Sequence, residues 1–177
     1  MMLSTVIAES PISADRPGIG SDADVAEKGS IQVEVGSDSK EVRIGLTKST
    51  ELDWQDGALA VKRALNENVS VRVSYSGADG ASVEIPASLK VSEKLTVGFD
   101  ALWSKSDKLA AAEFNYTVFD GLSATPTIYY DQKCRFAFFL AYIPKNRQDT
   151  QLDIGVDKSK VYFGISTRID FAGLAQR

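Results

Sequence analysis

The chain has no histidine. That removes the commonest general base and the commonest metal ligand. It has one cysteine, Cys134, so neither an internal disulfide nor a cysteine metal cluster can form. Within CRFAFFLAYI (134–143) that residue reads as a structural thiol in a strand. No apolar run reaches the roughly 18 residues that a spanning helix needs, a test that is blind to membrane β-barrels. Positive charge is not in excess: the net charge is −4, so no basic face for nucleic acid is advertised. Helical periodicity is scarce too. AVKRALNEN (60–68) is the one plausible helical turn, and VSVRVSY follows it at once. The opening MMLSTVIAES has a few apolar residues but no basic n-region. It is too short for a full signal peptide, so either the chain is not exported or this start lacks most of a signal.

What the chain does have is alternation. Four stretches share one shape: LTKSTELDW (46–54), LNENVSVRV (65–73), VSEKLTVGF (91–99) and VFDGLSATP (118–126). Each leads from a hydrophobic residue through turn-type residues into a period-two run, the pattern of a strand. Read this way, the chain predicts twelve strands near 29–36, 41–47, 49–55, 58–65, 69–77, 81–91, 94–104, 108–118, 122–131, 134–143, 150–157 and 160–171. Short connections imply antiparallel hairpins. The repeated turn then falls at one end of every second connection, with NRQ (146–148) as a fifth instance. Polar, charged connections (GSDSK, QDG, SGADG, SKSDK, DQK, VDKSK) fall at the other. Residues 1–28 read as an irregular N-terminal segment, 29–171 as the barrel, and 172–177 as a tail.

Alternation fits a soluble barrel with its apolar set inside, or a membrane barrel with that set facing lipid. Three features point to the membrane. Soluble up-and-down barrels that hold one ligand use about eight strands, not twelve. Trp54, Tyr75, Trp103 and Tyr130 belong to the apolar sets and close one end of their strands, while Tyr116, Tyr142 and Phe171 lie near the opposite end. Two such belts suit the two membrane interfaces, although aromatics also pack simply at strand ends. Finally, the mixed face carries Ser, Thr, Gly and Ala with charges of both signs, unlike a dense Lys/Glu exterior. An arginine facing lipid at mid-depth costs roughly 2–4 kcal/mol, so Arg72 must face inward. Arg63 has the wrong parity but lies near a strand end, where it can snorkel. The expected lumen set is Arg43, Arg72, Glu84, Lys90, Asp100, Glu113, Asp153 and Arg168. Such charges either line a passage or satisfy one another and close it. Asp15, Arg16 and Pro17 are a candidate lumen plug, the alternative being a tail.

The segments ADRPG (14–18), GSIQVEVG (29–36), VRIGLTKSTELDW (42–54), DGALAVKRAL (56–65) and TQLDIGVDKSKVYFGISTRIDF (150–171) resemble the outer-membrane barrel family associated with the MetA pathway of phenol degradation and with transport. The chain is shorter than that family, and AGLAQR follows its last aromatic, Phe171. The resemblance implies the bacterial outer membrane, lipids as surroundings and passive uptake of small, aromatic or apolar solutes. Alternatives are a closed structural barrel partnering another envelope protein, and a soluble lipocalin-like binder with Trp54 and Trp103 inside. No cofactor or metal is expected. Outer-membrane barrel enzymes rely on histidine, so an enzyme is not expected. Ser88 and Lys90 share a face, but that spacing is common on strands and says little about a Ser–Lys site.

Overall fold

Period-two alternation with short turns builds one sheet and little else. The computed structural model describes residues 23–37 and 39–171. Its strands are Ser30–Gly36 (β1), Lys40–Thr47 (β2), Thr50–Gln55 (β3), Ala58–Ala64 (β4), Ser70–Ser76 (β5), Gly80–Glu84 (β6), Ala87–Lys90 (β7), Leu95–Ser104 (β8), Lys108–Phe119 (β9), Leu122–Tyr130 (β10), Cys134–Tyr142 (β11), Thr150–Asp157 (β12) and Lys160–Asp170 (β13). All pair antiparallel in one sheet. β1 pairs with β13, from Ser30↔Asp170 to Gly36↔Gly164, and β6 and β7 both pair with β8. The sheet is therefore a closed barrel, with no free edge.

The strands make twelve staves, because β6 and β7 are one stave interrupted at Ile85–Pro86. The unbroken strand expected over 81–91 is corrected here. Proline has no N–H for the ladder. Its carbonyl still accepts from Ser70 N–H at 3.0 Å, and Ile85 N–H still donates to Ala101 at 2.9 Å, so the register runs on through the break. Residues 60–64 are strand rather than helix, paired with Thr50–Asp53 on one side and Ser70–Ser74 on the other. Strand length is uneven around the wall: β1–β5 have 6 to 8 residues, whereas β8 has 10, β9 has 12 and β13 has 11.

Polarity is inverted relative to a soluble core. The outer face carries Trp54, Val61, Val73, Tyr75, Phe99, Trp103, Phe136, Ile154, Phe163 and many more large apolar residues, all exposed. The inner face carries Gln32, Glu34, Arg43, Glu51, Asp53, Lys62, Arg72 and Glu84, all buried. A continuous apolar exterior of this extent marks contact with a membrane or a partner, and alternation of apolar-out with polar-in is the pattern of a transmembrane β-barrel. Both tryptophans point outward, which excludes the lipocalin-like arrangement. Trp54 and Tyr75 flank Leu59 on adjacent strands, and they and Trp103 and Tyr130 lie at the end of the barrel away from residue 29. Tyr116, Tyr142 and Phe171 are exposed near the other end. Arg63 is exposed on the outer face, beside Thr50 at the start of β3.

The orientation of each strand is thus testable one residue at a time. Val73, at the middle of β5 and 50% exposed, is expected to lose about 2–4 kcal/mol of stability in vesicles when replaced by arginine. Urea titration of Val73→Arg in lipid vesicles measures this, and an unchanged midpoint contradicts a lipid-facing position.

Candidate functional site: the barrel interior

Three cations, one each on β2, β4 and β5, organise one half of the interior. Arg43 Nη2 donates to Glu51 Oε2 at 2.9 Å, and Arg43 also faces Glu34 at 3.8 Å. Lys62 Nζ lies 3.5 Å from the same Glu51. Arg72 reaches Asp53 at 3.1 Å, Glu84 at 3.3 Å and Glu41 at 3.6 Å, and it donates to the Gln55 amide oxygen at 3.1 Å. Arg43 and Lys62 have no exposed surface. Two of these pairs follow directly from register: Glu51↔Lys62 and Arg72↔Glu84 are cross-strand neighbours. Guanidinium forks suit several carboxylates at once.

The other half, from β8 to β12, is built differently. Ala111, Tyr129, Ala137 and Phe139 form a small apolar cluster on the inner face, with Leu109 against it. Phe139 lies over Gly155, where a Cβ would run into its ring. Tyr129 Oη donates to Asp157 Oδ1 at 2.6 Å. At the rim, the Asp131 carboxylate accepts from Arg135 at 2.5 Å and from Lys158 at 2.9 Å, and these hydrogen bonds hold its pKa below the usual carboxylate range.

Residues 23–28 enter at the end opposite Trp54 and lie inside the wall as a strap. Ala23 and Ala26 are buried. Ala26 N–H donates to Glu51, Arg43 Nη2 donates to the Asp24 carbonyl at 3.1 Å, and Arg168 pairs with Glu27 at 3.5 Å. Gly45 on β2 makes the seat, since a Cβ there would collide with the carbonyl oxygens of Glu27 and Ala26. Beside the strap, a cavity of about 890 Å³ opens between it, Gln32, Arg168 and the turns at Lys48–Ser49 and Leu65–Glu67.

Of the residues expected in the lumen, Arg43, Arg72, Glu84, Asp100 and Arg168 are buried on the inner face, and Glu113 and Asp153 are half-buried there. Lys90 is corrected: it keeps the inward parity but lies exposed at the end of β7, on the rim rather than in the interior. Asp15, Arg16 and Pro17 lie outside the described residues. Sequence reading missed Glu51, which joins Arg43, Lys62 and the strap but sits inside the repeated turn motif. It also missed the Tyr129–Asp157 bond. Tyr129 was legible in principle, because an outward Tyr130 turns its neighbour inward.

No protein-family model and no curated protein matches the sequence. Among solved structures, the chain is similar to a KdgM porin in complex with disordered oligogalacturonate, with a TM-score of 0.51 and 10% identity over 78% of this chain and 96% of that one. It also aligns with the NanC porin, with a TM-score of 0.43 and 14% identity over 79% of this chain and 99% of that one. A triple mutant of Rhodopseudomonas blastica porin aligns with a TM-score of 0.45 and 12% identity over 74% of this chain and 55% of that one. The likeness to the KdgM porin is one of fold, and that fold is the closed antiparallel β-barrel of a porin.

Two substitutions test the interior. Arg72→Met leaves Asp53, Glu84 and Glu41 without their shared cation and is expected to cost about 3–5 kcal/mol. Arg147→Ala, which removes a largely exposed pair with Asp149, is expected to cost under about 1 kcal/mol. Urea unfolding in detergent micelles, followed by tryptophan fluorescence, separates the two. Gly45→Val is expected to unseat the strap and speed tryptic cleavage after Lys28, and equal cleavage rates would contradict the seat.

Proposed function

We propose that the chain is a channel in the outer membrane of a Gram-negative bacterium, passing small solutes passively through its charged interior. One observation carries the reading: a closed twelve-stave barrel buries Arg43, Glu51, Asp53, Lys62, Arg72 and Glu84 and turns its large apolar residues outward. Lipid is then the outer partner, and the charges of the inner wall set size and charge selection. The fold of the KdgM porin supports this reading. Transport of small aromatic or apolar solutes is supported only by the resemblance to the phenol-degradation barrels. The reading assigns no reaction to the chain.

A second reading, a closed structural barrel partnering another envelope protein, is favoured by the ion-pair network itself. Arg43, Lys62 and Arg72 are each held by carboxylates, and such a network can close a bore as well as line one.

Planar-bilayer recording decides between them. The protein is expected to give discrete conductance steps. A barrel that shifts in SDS gels between unboiled and boiled samples, as a closed barrel does, yet passes no current would sink the channel reading and leave the structural one.

A further inference from the structure

The strap of residues 23–28 lies across the inner wall rather than along one strand. Its contacts come from strands on both sides of the seam. Glu51 on β3 accepts from Ala26 N–H, Arg43 on β2 donates to the Asp24 carbonyl, and Arg168 on β13 pairs with Glu27. We infer that this strap is a hinged gate at the mouth on the residue-29 side of the barrel. Seated, it narrows the passage; released, it opens a second and wider conducting state. The inference rests on the channel reading above and adds the regulation of that passage.

The geometry carries it in three steps. First, register builds the seat. Gly45 is the cross-strand neighbour of Glu51, so a position without a side chain stands beside the carboxylate that takes the Ala26 N–H. Second, the strap has a pivot. Gly29 has a φ of 81°, its N–H donates to the Gly45 carbonyl at 2.9 Å, and its carbonyl accepts from Phe171 N–H at 3.0 Å. The Glu27 carbonyl accepts from Ser30 N–H at 2.9 Å, which closes a turn with glycine at its third position, where a positive φ calls for one. This turn is pinned to β2 and to the end of β13, and the chain N-terminal to it is the part that swings. Third, the wall keeps its own pairs when the strap leaves. Glu51 still holds Arg43 at 2.9 Å and Lys62 at 3.5 Å, and Arg168 still holds Asp170 at 3.2 Å. Release therefore strands none of these buried groups, and a stranded charge is what makes breaking a buried pair costly. Ala23 and Ala26 bring only methyl groups to the contact, and the cavity beside the strap gives it room to move. Glu27 is exposed while its partner Arg168 is buried, so added salt weakens that tie.

The experiment is single-channel recording in planar bilayers at about 0.1 M and about 1 M KCl, a range over which screening rises steeply. The wild-type protein is expected to switch between two conductance levels and to spend several-fold more time in the upper one at high salt. Ala26→Pro removes the N–H that Glu51 takes. Gly45→Ala drives a Cβ into the Glu27 and Ala26 carbonyl oxygens. Both are expected to stay mostly in the upper level at either salt concentration. Glu27→Gln, at an exposed side chain that leaves the wall untouched, is expected to lose the salt dependence, and it gives a result even where the other two fail to assemble. Gly98→Ala adds the same methyl group to β8, where it meets the Glu113 Cβ at an ordinary 3.6 Å, and is expected to switch like the wild type. Levels and dwell times that Ala26→Pro, Gly45→Ala and Glu27→Gln share with the wild type overturn the inference. A silent wild type whose strap variants conduct is a gate closed at rest and supports it. Silence of every form overturns the channel reading itself, and the inference with it, a failure unlike a current that ignores the strap.

Discussion

Hydrocarbon offers a backbone no hydrogen bonds, so a sheet that enters it must pair its last strand with its first. The ladder between β1 and β13 is that pairing. Seven residue pairs, from Ser30↔Asp170 to Gly36↔Gly164, close the wall. Everything else follows from closure: with no edge to protect, each strand is free to present one apolar and one polar face along its whole length. The interior becomes a place where charge is tolerated because other charge is near. The strap on β2 depends on closure too, since its anchors, Glu51, Arg43 and Arg168, come from both sides of that seam.

The interior is consistent with the energetics of buried ion pairs. Such a pair gains little over a well-packed apolar substitute, but losing one partner is expensive. A barrel whose outer face is already apolar has no use for a second apolar face, because it would then lack a polar–apolar distinction to orient its strands. Arg72, shared by Asp53, Glu84, Glu41 and Gln55 across β2, β3, β5 and β6, ties four staves to one group. Among the described residues, the opposite wall is joined by its ladders, by Phe139 over Gly155 and by the Tyr129–Asp157 bond.

Much of this was legible because alternation and lipid leave few choices. The cost of an arginine in hydrocarbon oriented β5 through Arg72, and the same parity extends to its neighbours. The twelve staves, the turn repeat and both aromatic groups were readable for the same reason. Partners were not, because pairing joins residues far apart in sequence: Arg72 and Asp53 are 19 apart, and Tyr129 and Asp157 are 28 apart. β11 was opaque because CRFAFFLAYI is apolar at both parities. Its inward side is told only by what it meets, with Ala137, Phe139 and Ala141 packing where Gly155 leaves room. The break at Pro86 left no trace in the pattern, since alternation continues through IPASLK without a change of phase. Glu51 was hidden because it belongs at once to a turn motif and to the interior.

The wall is not of even height. β3 and β4 have 6 and 7 residues, and farther round the wall β8 and β9 have 10 and 12. At about 3.4 Å per residue, the short side spans far less of a bilayer than the tall side. A membrane of uniform thickness cannot match both. The lipid must thin beside β3 and β4, or the barrel axis must lean until the tall strands lie more obliquely. Arg63 stands on the short side, facing outward, where a thinned leaflet brings headgroups and water to its guanidinium.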